Sequence, residues 1–476
     1  MESYGWLSIL PPVLAIALAI RTKQVYFALA FFVWLGWTIM NDWNPVTGLI
    51  ESVEVYLRAV TDADNARVLL FSALIGAMIT YTQASGGMEG FIRWVEHRGL
   101  TKSRRSVGLV TMAVSMAVFL ESNFGLLVSG SVARPLADRV RMSREKLAYL
   151  IDATCSPKSI LIPMNAWFAY VIGLLASQGV RGPELLFYAT IPFNFYAIFA
   201  IVVAVIVVLT GWDIGPMREA ERRVREEGTL LREGAKPMMT SDVAMAKAME
   251  GAPRRAINMV LPIVTMVLTV PFVFWLLGDG DIKAGAAVSG SGSQGVLWGV
   301  IAGLAVAAIA YTAQRIMTLD ELSQNLITGI QGLVPLVIVL SLAFAIGITT
   351  RELGTGVFVA QAAEASLPSG VVPAVVFLLA CFIAFATGTS WGTFAIMIPI
   401  VVPMFELLDL NPALTVAAAL GGGIFGDHCS PISDSTIVAS MAAATDHIDH
   451  VRTQMPYALT AAAAATVLFI IFGFAL

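Results

Sequence analysis

The densest cluster of polar side chains inside an apolar region lies between Gly421 and Thr436. It contains two carboxylates, one imidazole and several hydroxyls. Hard cations such as Na⁺ take oxygen ligands of these kinds, as Ca²⁺ and Mg²⁺ do. We therefore predict a cation- or proton-binding shell formed by this cluster and a second polar patch, from Asp427, Ser430, Asp434, Thr436, Thr389 and Ser390. Na⁺ itself is assigned to Asp427, Asp434, Thr389 and Ser390.

The surroundings of this cluster decide between a buried site and a loop. Apolar runs at 411–425 and 437–444 flank it, so a water-facing loop is the less favoured interpretation. Pro431 breaks the helix and frees carbonyl groups that can bind a cation. His428 could titrate near physiological pH. It is therefore included among the cation- or proton-binding candidates, although a histidine beside an aspartate is more often a hydrogen-bonded structural partner.

A related cluster lies in the first half of the chain, where Cys155-Ser156-Pro157 repeats the triplet Cys429-Ser430-Pro431. Its side chains are candidates for substrate binding or for a counter-charge: Lys158, Glu121, Ser122, Asn123, Asp152 and Ser156. Lys158 aligns with Ile432, and a buried lysine must be paired or neutral. It either forms a salt bridge to Glu121 or Asp152, or acts as a built-in cation that replaces a second Na⁺ or holds a substrate carboxylate.

The composition places both clusters in a membrane protein. Hydrophobic residues make up 57% of the 476 positions and charged residues only 13%, against about 25% charged residues in soluble proteins. Apolar runs near the length of a membrane span recur along the chain. We predict an all-α polytopic protein surrounded by the lipid bilayer, which excludes a soluble enzyme and a nucleic-acid binder. The three cysteines form no CxxC pair, so neither a disulfide framework nor a zinc site is predicted.

Charge gives the orientation of the helices. Nine Lys or Arg and eight Asp or Glu lie within residues 212–255. Basic residues are retained on the cytoplasmic side, so this stretch is predicted as a cytoplasmic charged linker between halves 1–211 and 256–476. The stretch 85–105 holds five basic residues and belongs inside, whereas the corresponding stretch 351–370 holds one and belongs outside. The halves are therefore predicted as inverted-topology repeats, with the N- and C-termini outside.

The same charge pattern predicts how each half is built. Segments 106–135 and 371–404 begin and end on one side of the membrane and are predicted as re-entrant hairpins, with polar tips at 121–123 and 389–390. Segments 147–177 and 412–445 are predicted as transmembrane helices broken at Pro157 and Pro431. Complete spans are expected near 4–20, 25–41, 67–84, 187–211, 256–277, 295–313, 330–350 and 457–476. Tips and breaks should meet near the membrane midplane, where a substrate site belongs.

Two of these motifs resemble a known family. Residues 388–393, Gly-Thr-Ser-Trp-Gly-Thr, and residues 426–436, which begin Gly-Asp-His-Cys-Ser-Pro, are similar to the signature of NhaC-type Na⁺/H⁺ antiporters. That family lies within the ion-transporter superfamily and includes malate/lactate exchangers. The resemblance is most specific at 386–456, and it implies elevator-type alternating access and a homodimeric scaffold. Residues 121–123 and Lys158 depart from the family's usual residues, which bears on the transported species more than on the fold.

The leading hypothesis is a secondary active transporter of a bacterial inner membrane that exchanges Na⁺ for H⁺ by alternating access, and not an enzyme. No cofactor is predicted, and Na⁺ and H⁺ are the expected transported ions. Desolvation favours a protonated carboxylate and a bound cation favours an ionised one, so one site can carry both in turn. The alternative is a Na⁺- or H⁺-coupled carrier of a small organic acid or amino acid, whose carboxylate Lys158 and Asn123 would hold. A membrane scaffold or sensor gives no reason for four helix breaks at one depth.

Overall fold

The computed structural model describes residues 4–22, 24–96, 103–119, 122–163, 165–237, 248–249, 251–280, 293–431 and 433–476. Within these ranges the chain is helical along most of its length and contains no β-sheet; two residues, Pro237 and Asp446, form an isolated bridge. The prediction of an all-α chain is confirmed. The inverted symmetry of the halves and the re-entrant depth of the hairpins stay predictions.

The helices of the first half, up to the charged segment, are α1 (Leu10–Thr22), α2 (Val25–Met40), α3 (Pro45–Thr61), α4 (Ala63–Ala84), α5 (Gly87–Glu96), α6 (Arg104–Ala117), α7 (Ser122–Arg139), α8 (Arg144–Lys158), α9 (Ala166–Ser177), α10 (Pro183–Thr190), α11 (Phe195–Thr210) and α12 (Gly215–Glu226). Those of the second half are α13 (Ile257–Leu277), α14 (Ser293–Ala313), α15 (Leu319–Leu353), α16 (Thr355–Ser366), α17 (Val372–Thr387), α18 (Ser390–Leu407), α19 (Pro412–Cys429), α20 (Asp434–Ala443) and α21 (His447–Ala475).

Six described helical segments are long and apolar enough to cross a membrane: Asn65–Ala84, Phe195–Glu226, Ile257–Leu277, Ser369–Thr387, Ser390–Leu407 and His447–Ala475. A seventh candidate is the pair Leu340–Leu353 and Thr355–Ser366, which bends by 60°. The expected spans at 67–84, 256–277 and 457–476 fall within helices of this set. Those expected at 4–20, 25–41 and 295–313 correspond to shorter apolar helices, Gly5–Leu18, Tyr26–Met40 and Leu297–Ala313.

Helix breaks lie at or beside the polar tips and the two prolines singled out in the sequence. In the first half, α6 ends at Ala117 and α7 begins at Ser122, while α8 ends at Lys158 and α9 begins at Ala166. In the second half, Gly388 ends α17 with a left-handed φ of 69°, a conformation that glycine adopts without steric cost. The segment 430–433 then separates α19 from α20.

Four helices, α3, α5, α12 and α16, were not predicted. Asn44 caps α3 by accepting hydrogen bonds from the amides of Val46 and Thr47, with Pro45 at the first helical position. This Asn-Pro pair is a known signal for the start of a helix, so α3 could have been predicted from the sequence. The predicted charged linker begins with the amphipathic helix α12, whose buried face includes Met217 and Glu221. Residues 238–247 and 250 of that linker lie outside the described residues.

Candidate functional site

Glycines bring the broken helix α19 against the hairpin arm α17. A Cβ atom at Gly426 would lie 2.3 Å from the backbone nitrogen of Phe385 and 2.4 Å from Cβ of Ala384. A Cβ atom at Gly422 would lie 2.4 Å from the carbonyl oxygen of Phe377. Only residues without a side chain allow the two backbones to approach this closely. This packing places Asp427, the residue after Gly426, at the tip of the second hairpin.

The Asp427 carboxylate lies in a setting of hydroxyl groups. Its side chain is buried, with 3% of the residue exposed. Ser390 Oγ donates a hydrogen bond to Oδ2 at 3.0 Å, and Ser433 Oγ donates to Oδ1 at 2.5 Å. Ser433 is also 3.0 Å from the hydroxyl of Ser435. Ser390 and Asp427, two of the predicted Na⁺ ligands, are therefore in direct contact, and Ser433 joins them although it was not among the predicted site residues.

At the break between α19 and α20, side-chain hydroxyl groups donate hydrogen bonds to backbone carbonyls. Pro431 has no N–H, so the carbonyl four residues earlier, that of Asp427, loses its helical donor. Thr436 Oγ1 contacts this carbonyl at 3.1 Å and that of His428 at 3.2 Å. Ser430 Oγ donates to the carbonyl of Phe385 at 2.7 Å, which fixes the break to the hairpin. Thr436 and Ser430 are thus placed at the break, where they bond to backbone carbonyls.

The other predicted cation ligands have different surroundings. Thr389 is the N-cap of α18, and its side chain accepts from the amide of Gly392 at 3.5 Å. Asp434 begins α20, and its side chain lies outside the described residues. A threonine directly before a helix is a capping signal, so this role of Thr389 could have been predicted from the sequence, although it was not.

His428 faces away from the Asp427 carboxylate and towards α11. Its Nδ1 lies 2.7 Å from the hydroxyl of Tyr196, and both residues are buried. Its Nε2 has no hydrogen-bond partner within the described part of the chain. The geometry corresponds to the structural alternative raised for this histidine, because an aromatic hydroxyl holds the ring.

A second buried polar group surrounds Asp152. Its carboxylate accepts from Ser156 Oγ at 3.0 Å and from Gln454 Nε2 at 3.3 Å, and it lies 3.2 Å from His450 Nε2. Gln454 Nε2 also donates to the carbonyl of His428 at 2.7 Å. Side chains of α21 therefore connect the two broken helices. His450 itself is fully buried, with 0% of the residue exposed.

The signal for this connection was helical spacing. His450 and Gln454 are separated by four residues in α21, and residues so spaced lie on one face of a helix. The charged neighbours at 446, 449 and 452 would by themselves favour an interfacial position for the whole segment. A helical projection would have separated the buried face from the solvated one.

Lys158 is fully buried at the end of α8. Its Nζ donates to the carbonyls of Ser115 and Val118, the latter at 2.8 Å, and lies 3.5 Å from Cys155 Sγ. These carbonyls belong to the C-terminal end of α6, which carries partial negative charge. Lys158 therefore joins the first broken helix to the first hairpin. Glu121 and the side chain of Asn123 lie outside the described residues.

Aromatic rings join the two halves next to these sites. Trp167 of α9 stacks on Trp391 of α18 with ring centroids 4.1 Å apart. Tyr170 donates a hydrogen bond to the carbonyl of Trp391 at 2.6 Å. Trp167 Nε1 also donates to Ser122 Oγ at 3.4 Å. One tryptophan pair thus connects the start of α7 in the first half with the tip of the second hairpin.

Similarity to known proteins covers most of the chain. The sequence model of the Na⁺/H⁺ antiporter family matches residues 148–474. An uncharacterised protein of Haemophilus influenzae is 31% identical over 98% of this chain and 91% of its own length. A malate-2H⁺/Na⁺-lactate antiporter of Bacillus subtilis is 38% identical over 21% of this chain and 22% of its own. An uncharacterised Na⁺/H⁺ antiporter of Haemophilus influenzae is 32% identical over 20% of each chain.

Two solved structures are similar in fold. The YdaH transporter of Alcanivorax borkumensis superposes with a TM-score of 0.55 and 15% identity, over 90% of this chain and 89% of its own. MtrF of Neisseria gonorrhoeae, described within a class of antimetabolite efflux pumps, gives a TM-score of 0.56 and 16% identity, over 90% of this chain and 85% of its own. At this level of identity the likeness concerns the fold alone.

Proposed function

Because the chain belongs to the Na⁺/H⁺ antiporter family, we propose that it exchanges Na⁺ for H⁺ by alternating access, with Asp427 as the carboxylate that both ions occupy in turn. The protein is a multi-pass membrane protein, since its family and its apolar helices agree. We place it in a bacterial inner membrane, with residues 212–255 in the cytoplasm and both termini outside. Inverted repeats, an elevator-type movement and a homodimer belong to the same proposal.

The observation that carries this proposal is the hydroxyl shell of a buried carboxylate. Ser390 and Ser433 donate to the two oxygens of Asp427. A hydroxyl group is a donor and an acceptor, so the same two side chains can turn their oxygens towards a cation. Na⁺ would then bind between the carboxylate and hydroxyl oxygens, which are the ligands that hard cations prefer.

The chemistry of exchange follows from burial. Without a cation, a desolvated carboxylate favours the protonated form, whereas bound Na⁺ favours the ionised form. The two ions therefore compete for Asp427 and do not bind it together. Asp434 remains a candidate second carboxylate, because it begins α20 one residue after Ser433.

The test is exchange in proteoliposomes. Na⁺ added outside should dissipate an imposed pH gradient with the native protein, and Asp427→Asn should abolish this response while the protein stays folded. Ser390→Ala should weaken the apparent Na⁺ affinity and leave the maximal rate less affected. Comparison with Asp434→Asn shows which of the two carboxylates the exchange requires. Full exchange activity in Asp427→Asn would overturn the assignment of the shared site.

Exchange of a small organic acid or amino acid is the alternative, and the similarity of a short segment to a malate-2H⁺/Na⁺-lactate antiporter favours it. This function requires a cationic group that binds the substrate carboxylate, for which Lys158 and Asn123 are the predicted candidates. Lys158 Nζ, however, donates to the carbonyls of Ser115 and Val118, which makes Lys158 a less suitable group for binding a substrate carboxylate. Thermal stabilisation by malate, lactate or arginine, compared with Na⁺ alone, distinguishes the two functions.

A further inference from the structure

A cavity of about 540 Å³ lies at the ends of α6, α8, α11 and α12, away from the site at Asp427. Its charged lining residues come from four separate elements and are Arg104, Arg105, Arg141, Lys146, Arg225 and Glu221. Five of these six side chains are cationic. A concave surface lined by one sign of charge concentrates the field and attracts ions of the opposite sign.

The acidic groups nearby do not balance the cations. Glu221 accepts from Arg104 at 2.9 Å and from the amide of Ser143 at 2.8 Å. Asp213, outside the lining, bonds to Lys146 at 2.8 Å and lies 3.5 Å from Arg225. Two carboxylates thus form ion pairs with three of the five cationic side chains.

The remaining donors are free for another ligand. Arg105 and Arg141 are exposed and have no ion-pair partner among the described residues. Arg104 Nη2 is buried and has no hydrogen-bond partner within the same ranges. Guanidinium groups suit a phosphate because its oxygens accept paired N–H donors. The cavity therefore has the charge and the donors for a phosphate group.

The position of the cavity indicates where that phosphate comes from. Val208, Thr210 and Gly211, at the end of α11, form one wall. Next to them Leu209 is 46% exposed and Trp212 is 64% exposed, and Leu109 of α6 is 41% exposed. Exposed apolar side chains on a membrane helix face lipid, and tryptophan is enriched at the level of the headgroups. Basic pockets between helices on the cytoplasmic side bind lipid headgroups.

We propose that this cavity binds the phosphate group of an anionic phospholipid from the leaflet that faces residues 212–255. Bound there, the phosphate joins Arg105 of α6 to Arg141 in the turn before α8 and to Arg225 of α12. It neutralises charges that otherwise repel one another across the cavity. The lipid therefore stabilises the ends of these helices, independently of which ion the protein transports.

The test uses the full chain, purified in a zwitterionic detergent, and its thermal unfolding. Phosphatidylglycerol should raise the melting temperature by about 2–4 °C, while phosphatidylcholine with the same acyl chains should not. In the double variant Arg105→Gln/Arg141→Gln most of this shift should disappear. The matched control is Arg315→Gln, because Arg315 is also exposed and has the same φ of 56° as Arg141; it should keep the full shift.

Each other result overturns a part of the proposal. An equal shift in the double variant and the native protein would place the lipid elsewhere. An equal shift in melting temperature with phosphatidylcholine would show that the net negative charge of the lipid is not needed. Inorganic phosphate that stabilises the native protein as well as phosphatidylglycerol would make the cavity a site for free anions. Since none of these measurements involves transport, failure of Na⁺/H⁺ exchange leaves them interpretable.

Discussion

Asp152 and His450 are 298 positions apart in the sequence, and their side chains meet at 3.2 Å in a fully buried pair. The pair joins α8, in the first half, to α21, the last helix of the chain. Ser156 and Gln454 complete the hydrogen bonding of the carboxylate. The end of the chain is thereby attached to the first broken helix by polar contacts in addition to apolar packing.

Removing one member of this pair should be costly. His450→Leu removes the contact of His450 Nε2 with the buried Asp152 carboxylate and should lower the free energy of unfolding by about 1–3 kcal/mol. The double variant Asp152→Asn/His450→Leu should recover part of that loss, because no charge is then stranded. Thermal unfolding in detergent of both single variants and the double variant measures the coupling. Losses that simply add would show that the two side chains are not coupled.

Thr436→Val tests the support of the second break. Valine keeps the shape but removes the hydroxyl that contacts the carbonyls of Asp427 and His428. A buried carbonyl without a donor costs about 1–3 kcal/mol, so the melting temperature should fall. Thr466→Val is the matched control, because Thr466 donates only to the carbonyl of Ala462 in its own helix. Equal losses in the two variants would contradict a special role for Thr436.

Gly426→Ala tests the close approach of α19 to α17. A methyl group would lie 2.3 Å from a backbone atom of Phe385, so the helices must separate, and Asp427 should move away from Ser390. We expect a lower melting temperature and weaker Na⁺-dependent exchange in proteoliposomes. In the control Gly421→Ala, the nearest atom is Cβ of Tyr196 at an ordinary 3.6 Å. Native exchange in both variants would show that the close approach is not needed.

Asp446 gives a pH dependence outside the membrane-spanning segments. Burial opposes ionisation of this carboxyl, but amide hydrogen bonds from Lys236, Asp449 and Ile448 outweigh it and lower the pKa. A lowered folded pKa stabilises the protein above the unfolded value of about 3.9 and ceases to do so as the pH falls through the folded value. The melting temperature of Asp446→Asn should therefore lie below that of the native protein at pH 7, and the gap should narrow below pH 4. A difference in melting temperature that grows below pH 4 would contradict the lowered pKa of Asp446.

The sequence predicted the helix breaks because proline, glycine and clustered polar residues leave local signals. Pro431 lies in the break between α19 and α20, as predicted, and the contact between Ser390 and Asp427 follows from two polar patches that must share a buried space. These features depend on the conformational limits of single residues and on the cost of burying polar groups.

The partners that tertiary packing selects were harder to predict. Tyr196 is one of ten tyrosines in the chain, and nothing local marks it as the partner of His428. The direction of Lys158 towards the carbonyls of α6 depends on how the first hairpin lies against α8. Such contacts depend on the relative position of helices that are distant in sequence, which local residue patterns do not specify.

The glycines of α19 also have a mechanical consequence. Gly422 and Gly426 place the helix against α17, and a Cβ atom at Gly423 would lie 2.3 Å from the ring of Phe394 in α18. Both arms of the hairpin are therefore interlocked with the helix that carries Asp427. A displacement of either arm would displace α19 as well, so in the proposed alternating access these three helices would move as one rigid body. In that proposed movement, the stacked rings of Trp167 in α9 and Trp391 in α18 would lie on the boundary between this body and its neighbours.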